Sequence, residues 1–279
     1  MSLQKMMIIP LLMSTIIPSV FSDNTPIRAR LSLNEFPNSI IVTWTTMQKP
    51  VAPIVRFGAV TTTKTKWNVQ MTSRVEKEST CIPSKAPSTY EYPLRSYTSA
   101  FIGSCTLNNL IPGVTYSYTV ESSPKERTKP FRFTLPKIGD SMRIAFIGDL
   151  GQTANSTHTR DHILAAQPFN YNHIVIVGDM SYADSQHSGS SCQHATGCTP
   201  KRWDTWEDFY TPLGAIMPTM VLPGNHEVEV PHAPLNQLKT DVPFLNYHHR
   251  FPMPHINDSQ YYFSYEAGDL SGRSGTGKF

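Results

Sequence analysis

The sequence lacks strong charge of either sign. It has 24 Lys and Arg residues and 21 Asp and Glu residues, so the formal net charge is only +3 over 279 residues. No long block carries charge of a single sign. A balance this close to neutral gives no electrostatic reason to expect nucleic acid or an anionic membrane surface as a partner.

Long apolar runs are missing everywhere except at the N-terminus. Lys5 is followed by MMIIPLLMSTIIPSVFS, with no charged residue before Asp23. A short basic start, an apolar centre and small residues near the end of the run are typical of a cleaved signal peptide. A membrane anchor is the alternative, but the run is short for a spanning helix and contains Pro10 and Pro18. We therefore predict a signal peptide over residues 1–22 and a mature protein that is secreted or resides in a vacuolar or lysosomal lumen.

Cysteine is scarce, and its spacing disfavours a zinc site because no CxxC pair is present. Four cysteines allow three disulfide pairings, and local spacing favours pairing the first with the second and the third with the fourth. Two Asn-X-Ser/Thr sequons, at Asn155 and Asn257, are candidate glycosylation sites and give weak support to secretion. The four cysteines are Cys81, Cys105, Cys192 and Cys198.

The first half of the mature chain has the pattern of an antiparallel β-sandwich. Seven short segments within residues 27–136 carry alternating or β-branched residues, and Gly, Pro and Asn separate them. Strands of this length and spacing predict a fibronectin type III-like sandwich over residues 23–137. Trp44, Tyr116 and Tyr118 are expected in its core. No cluster of acids or histidines marks this half as a site of chemistry.

The second half, residues 141–279, changes to an alternating pattern. Three apolar strands are separated by helical segments, which predicts parallel strands joined by right-handed crossovers. One helix is expected over Thr157–Gln167 and a second within residues 200–217, with Trp203 and Trp206 in the core. In a sheet of this kind, ligands bind beyond the carboxyl ends of the strands. The predicted strands are Arg143–Ile147, His173–Val177 and Pro218–Leu222.

Oxygen-bearing side chains follow each of these three strands. The segments are GDLGQT with Asp149, GDMSYAD with Asp179 and Tyr182, and GNHE with Asn225, His226 and Glu227. Adjacent parallel strands bring the three segments together, and carboxylates gathered without a cation would repel one another. The pattern therefore indicates a multivalent metal centre, in which a carboxylate after the middle strand could be shared by two ions.

These three segments resemble the first signature blocks of the metallophosphoesterases. Because GDMSYAD contains a tyrosine, it resembles the corresponding block of the purple acid phosphatases in particular. The resemblance covers most of the chain, since large members of that family carry an N-terminal fibronectin-like sandwich before the catalytic domain. It implies a β-sandwich followed by an α/β metallophosphoesterase domain with a parallel βαβαβ core. It also implies hydrolysis of small phosphate monoesters by a metal-bound hydroxide, at a centre of Fe(III) and a divalent metal (Zn, Mn or Fe).

The resemblance assigns a role to each matching residue. Asp149 is expected to bind the ferric ion, Asp179 to bridge both metals, and Tyr182 to bind the ferric ion as a phenolate. Asn225 is expected to bind the divalent metal and to contact substrate. His226 is expected to bind the substrate phosphate and to protonate or stabilise the leaving oxygen. Hard anionic ligands suit Fe(III), which makes this assignment chemically coherent.

Two further blocks of the family, with a VxxH-like and a GHxH-like histidine, do not occur in the sequence. The tail DLSGRSGTGKF is rich in Gly and Ser and unlike a buried strand. We therefore expect the phosphoesterase domain to be incomplete, the chain to be a truncated form, and its activity as written to be low. His158, His162 and His173 are expected in surface or packing positions, and His248 and His249 as weak candidates for substrate contact.

Two alternatives to an acid phosphatase stay open on the sequence. A phosphodiesterase or nucleotidase of the same superfamily is one, although Tyr182 argues against it. A non-catalytic secreted binding protein, with the sandwich as its working part, is the other. A homodimer is a candidate assembly.

Overall fold

The chain is described by a computed structural model, in which two halves follow one another along the sequence. The first half is built of antiparallel strands, and the second contains a parallel sheet with helices packed on it. The residues that the structure describes are 24–50, 52–64, 69–73, 77–85, 89–92, 95–137, 139, 141–166, 171–183, 200–228, 244–254, 261–267 and 270–275.

The first half is a sandwich of two antiparallel sheets. One sheet has the strand order β1-β2-β9-β6, and the other is built around β10 and β3, with β11 and β12 against β10 and β4 and β5 against β3. A separate hairpin pairs β7 with β8. The strands are β1 (Ile27–Leu33), β2 (Ile40–Thr46), β3 (Ile54–Lys64), β4 (Val69–Ser73), β5 (Lys77–Thr80), β6 (Ile82–Lys85), β7 (Thr89–Tyr92), β8 (Arg95–Thr98), β9 (Phe101–Leu107), β10 (Thr115–Ser123), β11 (Glu126–Arg127) and β12 (Phe131–Thr134).

Side chains from both sheets form the core of the sandwich. Trp44 on β2 and Tyr118 on β10 are each 1% exposed, and Tyr116 is buried as well, so the three aromatic residues are in the core as predicted. A disulfide bond joins Cys81 to Cys105, one of the two pairings that the spacing favours. The bond crosses from the chain between β5 and β6 to β9, and it therefore fastens one edge of the sandwich.

The second half contains the predicted parallel sheet, with the order β13-β14-β15. Its core includes Trp203 and Trp206, each 0% exposed, which confirms their predicted burial. Among the described helices, none is long and apolar enough to cross a membrane. The elements are β13 (Ile144–Ile147), α1 (Ala154–Ala165), β14 (His173–Val177), α2 (Lys201–Gly214), β15 (Thr219–Leu222), a 3₁₀ turn (Asn225–Glu227), α3 (Leu245–Arg250), β16 (Tyr262–Ala267) and β17 (Leu270–Gly275).

A buried charge network joins the two halves. Arg30 on β1 lies 3.7 Å from Oε1 of Glu207 on α2, and Arg250 on α3 lies 3.3 Å from Oε2 of the same carboxylate. Arg250 also contacts Asp204 at 2.9 Å, and Tyr97 of β8 donates a hydrogen bond of 2.8 Å to that carboxylate. Arg30, Glu207 and Arg250 are all buried. The ion pairs that join the sandwich to α2 and α3 are therefore shielded from water.

Three expectations from the sequence need correction. Twelve strands, and not seven, are present in the described part of the first half, because SYTSAFIG breaks into β8 and β9 and short polar segments such as TYEY pair in hairpins. Helix α1 begins at Ala154, three residues before Thr157, because Thr153 caps it and accepts a hydrogen bond from Ser156. The Gly- and Ser-rich tail forms β17, because its backbone pairs antiparallel with β16.

Candidate metal centre

The three predicted segments meet at one edge of the parallel sheet. Ile147 pairs with Ile176, and Val177 pairs with Leu222, so the three strands end side by side. β14 is the middle strand, which puts the Asp179 loop between the other two. The backbone N–H of Asp149 donates a hydrogen bond of 3.3 Å to the carbonyl of Gly178. The first and second loops are therefore in direct contact.

The second and third loops approach as closely as two glycines allow. A Cβ atom added to Gly178 would lie 2.7 Å from Cα of Gly224, and the φ angle of Gly178 is +90°. A Cβ atom added to Gly224 would collide with Oδ1 of Asp179. Glycine is the residue that permits such backbone approach and a positive φ. Both glycines are thus needed for Asp179 to reach the third loop.

Three of the four predicted ligands have a left-handed backbone. The φ angles are +53° at Asp149, +56° at Asp179 and +53° at Tyr182. Positive φ is uncommon for residues other than glycine, and it is unfavourable for a bulky residue such as tyrosine. Such strain persists only where surrounding structure imposes it, and it concentrates at functional sites. Contacts within the folded protein therefore impose the backbone conformation that orients these three side chains.

Direct contacts link the predicted residues. The Tyr182 hydroxyl donates a hydrogen bond of 3.2 Å to Oδ1 of Asp149. The backbone N–H of His226 donates one of 3.0 Å to Oδ1 of Asp179. The rings of Tyr182 and His226 lie 4.2 Å apart, centroid to centroid. Asn225 follows β15 at the start of the 3₁₀ turn and is exposed, on the same edge of the sheet.

The electrostatics of Tyr182 favour a protonated phenol in the absence of a cation. Burial raises the pKa of Tyr182, and the neighbouring charges of Asp149, Asp179 and Glu227 raise it further. A phenolate in this position requires a positive charge close by. A bound multivalent cation would supply that charge and lower the pKa of Tyr182. The donor set fits such an ion, since two carboxylates, a phenol and an amide oxygen are hard ligands.

The described part of the chain brings together no group of three His, Cys, Asp or Glu side chains that could hold a metal ion. The candidate centre has two carboxylates, and its other donors are the Tyr182 phenol and the Asn225 amide. Beside it lies a cavity of about 750 Å³, lined among others by Asp149, Tyr182 and Arg202. Small phosphate esters fit within a volume of this size.

The sequence-based assignment missed one residue at the site, Gln152, and gave no separate role to another, Glu227. Gln152 donates hydrogen bonds of 3.1 Å to the carbonyls of Ser181 and Arg202 and accepts one of 2.7 Å from Thr205, so it connects the first two loops to α2. Glu227 was grouped with the ligands, but its carboxylate accepts hydrogen bonds from backbone N–H groups of two loops. Burial raises the pKa of Glu227 to about 7, and those backbone hydrogen bonds act in the opposite direction.

The remaining predicted residues lie elsewhere or outside the described ranges. Asn155 is exposed in the first turn of α1. His173 is 1% exposed and contacts Tyr265, as expected for a packing residue. His248 is hydrogen bonded to Tyr261. Residues 1–23, with the predicted signal peptide, and the positions of Cys192, Cys198 and Asn257 lie outside the described residues.

Comparison with known proteins decides the family. Residues 26–135 match the model of the purple acid phosphatase N-terminal domain, and residues 142–276 match the model of the calcineurin-like phosphoesterases. The chain belongs to the purple acid phosphatases. The order of the two matches is that of the sandwich and the parallel sheet along the chain.

Plant members of the family are among its relatives. Purple acid phosphatase 23 of Arabidopsis thaliana is 34% identical over 63% of this chain and 41% of that protein. Fe(3+)-Zn(2+) purple acid phosphatase 12 of the same plant is 31% identical over 77% of this chain and 40% of its own length. Phosphoenolpyruvate phosphatase of Allium cepa is 35% identical over 60% of this chain and 32% of that protein. The chain thus spans less than half the length of these three relatives.

A solved structure shares the fold. Purple acid phosphatase PPD1 from seeds of yellow lupin (Lupinus luteus) matches 90% of this chain and 44% of its own chain, with a TM-score of 0.64 and 21% identity. At that identity the match supports the fold alone. It agrees with a β-sandwich followed by a metallophosphoesterase domain with a parallel sheet.

Proposed function

We propose that the chain is part of an acid phosphatase that hydrolyses small phosphate monoesters at a centre of Fe(III) and a divalent ion. Asp149 and Tyr182 would hold the ferric ion, Asp179 would be shared by the two ions, and Asn225 would hold the divalent ion. His226 faces the substrate phosphate. The chain combines a sandwich domain, residues 23–137, with a phosphoesterase domain over residues 141–279.

One observation carries this proposal. The Tyr182 hydroxyl contacts the Asp149 carboxylate at 3.2 Å, across two loops whose residues have positive φ angles. Backbone strain at both residues persists only where the surrounding structure imposes it, and such strain concentrates at functional sites. Phenolate and carboxylate together are the hard anionic pair that Fe(III) prefers.

The residues of this chain then perform distinct tasks. Bound metal ions supply activation of water and neutralisation of charge on the phosphoryl oxygens. Asp179 fixes the third loop by accepting the backbone N–H of His226. Tyr182 supports the His226 ring from one side at 4.2 Å. With its backbone and ring both constrained, His226 is suited to give a proton to the leaving oxygen of the ester.

The printed names of two relatives support the finer assignments. One relative is named as an Fe(3+)-Zn(2+) enzyme, which favours zinc as the divalent ion, with Mn and Fe as alternatives. Another is named as a phosphoenolpyruvate phosphatase, which acts on a phosphate monoester. A phosphodiesterase or nucleotidase is less well supported, because the tyrosine of GDMSYAD, Tyr182, and the match of residues 26–135 are both features of purple acid phosphatases. We also propose a secreted or vacuolar location, while a homodimer stays a prediction.

The test compares two variants, made in a version of the protein that carries the two later histidine blocks of the family, for metal content and for hydrolysis of an aryl phosphate at acidic pH. Asp179→Asn keeps the size of the side chain but removes its charge, so occupancy of both metals should collapse. His226→Ala should keep its metals and lose turnover by about 10²–10⁴-fold, the range of general acid catalysis. Loss of metal from His226→Ala, with normal content in Asp179→Asn, would reverse the two roles.

A further inference from the structure

The Glu227 carboxylate occupies an unusual position beside the candidate centre. Glu227 is 0% exposed, and it is not among the residues that line the cavity. Oε2 accepts hydrogen bonds from the backbone N–H groups of Asp179, at 2.7 Å, and Gly224, at 2.8 Å. Oε1 accepts one from the N–H of Met180, at 2.8 Å. Three donors from two loops therefore converge on one buried side chain.

An ordinary helix cap explains only one of these bonds. Glu227 is the third residue of its 3₁₀ turn, and its bond to the Gly224 N–H is the one half of a capping box that a glycine N-cap can make. The other two donors belong to the loop after β14, which is 47 and 48 residues away in sequence. A side chain serving only its own turn would leave those two N–H groups to other partners. Glu227 thus links the turn that carries Asn225 and His226 to the loop that carries Asp179.

The linked atoms are those that set the direction of Asp179. The Asp179 N–H is fixed by Glu227, while its side-chain Oδ1 is fixed by the N–H of His226. These two hydrogen bonds join the same pair of loops and fix both the backbone and the side chain of Asp179, whose φ angle of +56° is uncommon for a residue other than glycine. Removing the Glu227 bonds frees the backbone of Asp179 to relax toward a negative φ. Its carboxylate would then turn away from the centre.

We propose that Glu227 is a positioning residue for the metal centre and not a ligand, acting through the backbone of Asp179 and Met180. The Glu227 brace is our name for the three hydrogen bonds that its carboxylate accepts from the N–H groups of Asp179, Met180 and Gly224. This inference rests on the proposed function for its effect on metal binding, but the brace itself is a property of the metal-free protein. A carboxylate is required because two oxygens must accept three N–H groups. An amide in its place offers one accepting oxygen and sets an NH₂ group against a donor.

The test uses the whole chain and the variant Glu227→Gln, with Glu207→Gln as the matched control. Glu207 is also a buried glutamate of the second half, but it contacts Arg30 and Arg250 and not the loops of the centre. Two measurements are made: hydrogen–deuterium exchange of metal-free protein, in peptides covering residues 178–183 and 223–228, and the dissociation constant for ferric ion. Thermal unfolding of each variant is recorded alongside.

Glu227→Gln should exchange faster in both peptides and bind ferric ion about 10–100-fold more weakly, as expected for loss of a residue that orients a ligand. Glu207→Gln should lose thermal stability, yet leave exchange in both peptides and iron affinity unchanged. Unchanged exchange in Glu227→Gln would overturn the brace. Faster exchange with unchanged iron affinity would overturn its positioning role, and so would global unfolding of that variant. A wild-type chain that binds no iron would instead refute the proposed function, and the exchange data alone would then decide the brace.

Discussion

The backbone N–H of His226 donates a 3.0 Å hydrogen bond to Oδ1 of Asp179. The residue proposed to protonate the leaving group is therefore tied to the residue proposed to bridge the metals. A movement of the Asp179 carboxylate would therefore also move His226. The glycines that let the two loops meet are consequently as important to the site as its polar side chains.

Gly224→Ala should damage the centre without removing any polar group. The added methyl group collides with Oδ1 of Asp179, so the carboxylate must rotate away. We expect metal affinity to fall by about 10–100-fold, comparable to the loss of an orienting partner. Gly148→Ala is the control, because its Cβ would meet only a methyl group of Val177 at 3.5 Å. Equal metal affinity in the two variants, measured by titration, would show that the contact at Gly224 is unimportant.

Arg30→Met should destabilise the whole chain, because it leaves Glu207 buried beside a single remaining arginine. Burial lowers the pKa of Arg30 to about 10 and raises the pKa of Glu207, because removal from water disfavours the charged form of each group. Breaking a buried ion pair costs about 3–5 kcal/mol of unfolding free energy. Arg127→Met is the control, since Arg127 is exposed and its buried partner Glu121 keeps a second contact, with Arg56 at 2.9 Å, so the expected loss is about 0–1 kcal/mol. Urea unfolding measures both values, and similar losses in the two variants would contradict the assignment.

His173 should make stability fall in acid. Burial lowers the pKa of His173 to about 4 from an ordinary value of 6.5, and its ring contacts the hydroxyl of Tyr265. Between these two values the unfolded chain binds the proton and the folded chain does not, so the free energy of unfolding decreases as the pH falls from about 6.5 to about 4. The full contribution is up to about 3 kcal/mol. His173→Gln should show a flatter dependence of unfolding free energy on pH across this window, and an equally steep one would show that His173 is not the group responsible.

The sequence predicted the second half of the fold well, for a physical reason. Three apolar strands separated by helices permit few arrangements other than adjacent parallel strands, and this alone brings Asp149, Asp179 and Asn225 to one edge. The first half was less predictable. TYEY and IPSK are only four residues long; TYEY pairs with the adjacent β8, and IPSK pairs with β9, which lies beyond that hairpin in the chain.

The finer geometry of the site was beyond the sequence as well. Glu227 has the spacing of an ordinary capping residue, and nothing local indicates that its carboxylate reaches Asp179 and Met180. The positive φ of Tyr182 is likewise imposed by tertiary contacts, against the preference of the residue. The network of Arg30, Glu207 and Arg250 combines elements that are up to 220 residues apart, so periodicity within one element carries no sign of it.

The visible absorption spectrum of the iron-loaded chain tests the central claim most directly. If Tyr182 binds Fe(III) as a phenolate, the wild-type chain should show a charge-transfer band. Tyr182→Phe keeps the ring beside His226 but removes the donor oxygen, so the band should vanish while Asp149 and Asp179 still retain iron. The spectrum and the iron content are measured on the same samples. Loss of colour with iron still bound is the result that the proposed centre predicts, and an unchanged band in Tyr182→Phe would contradict it.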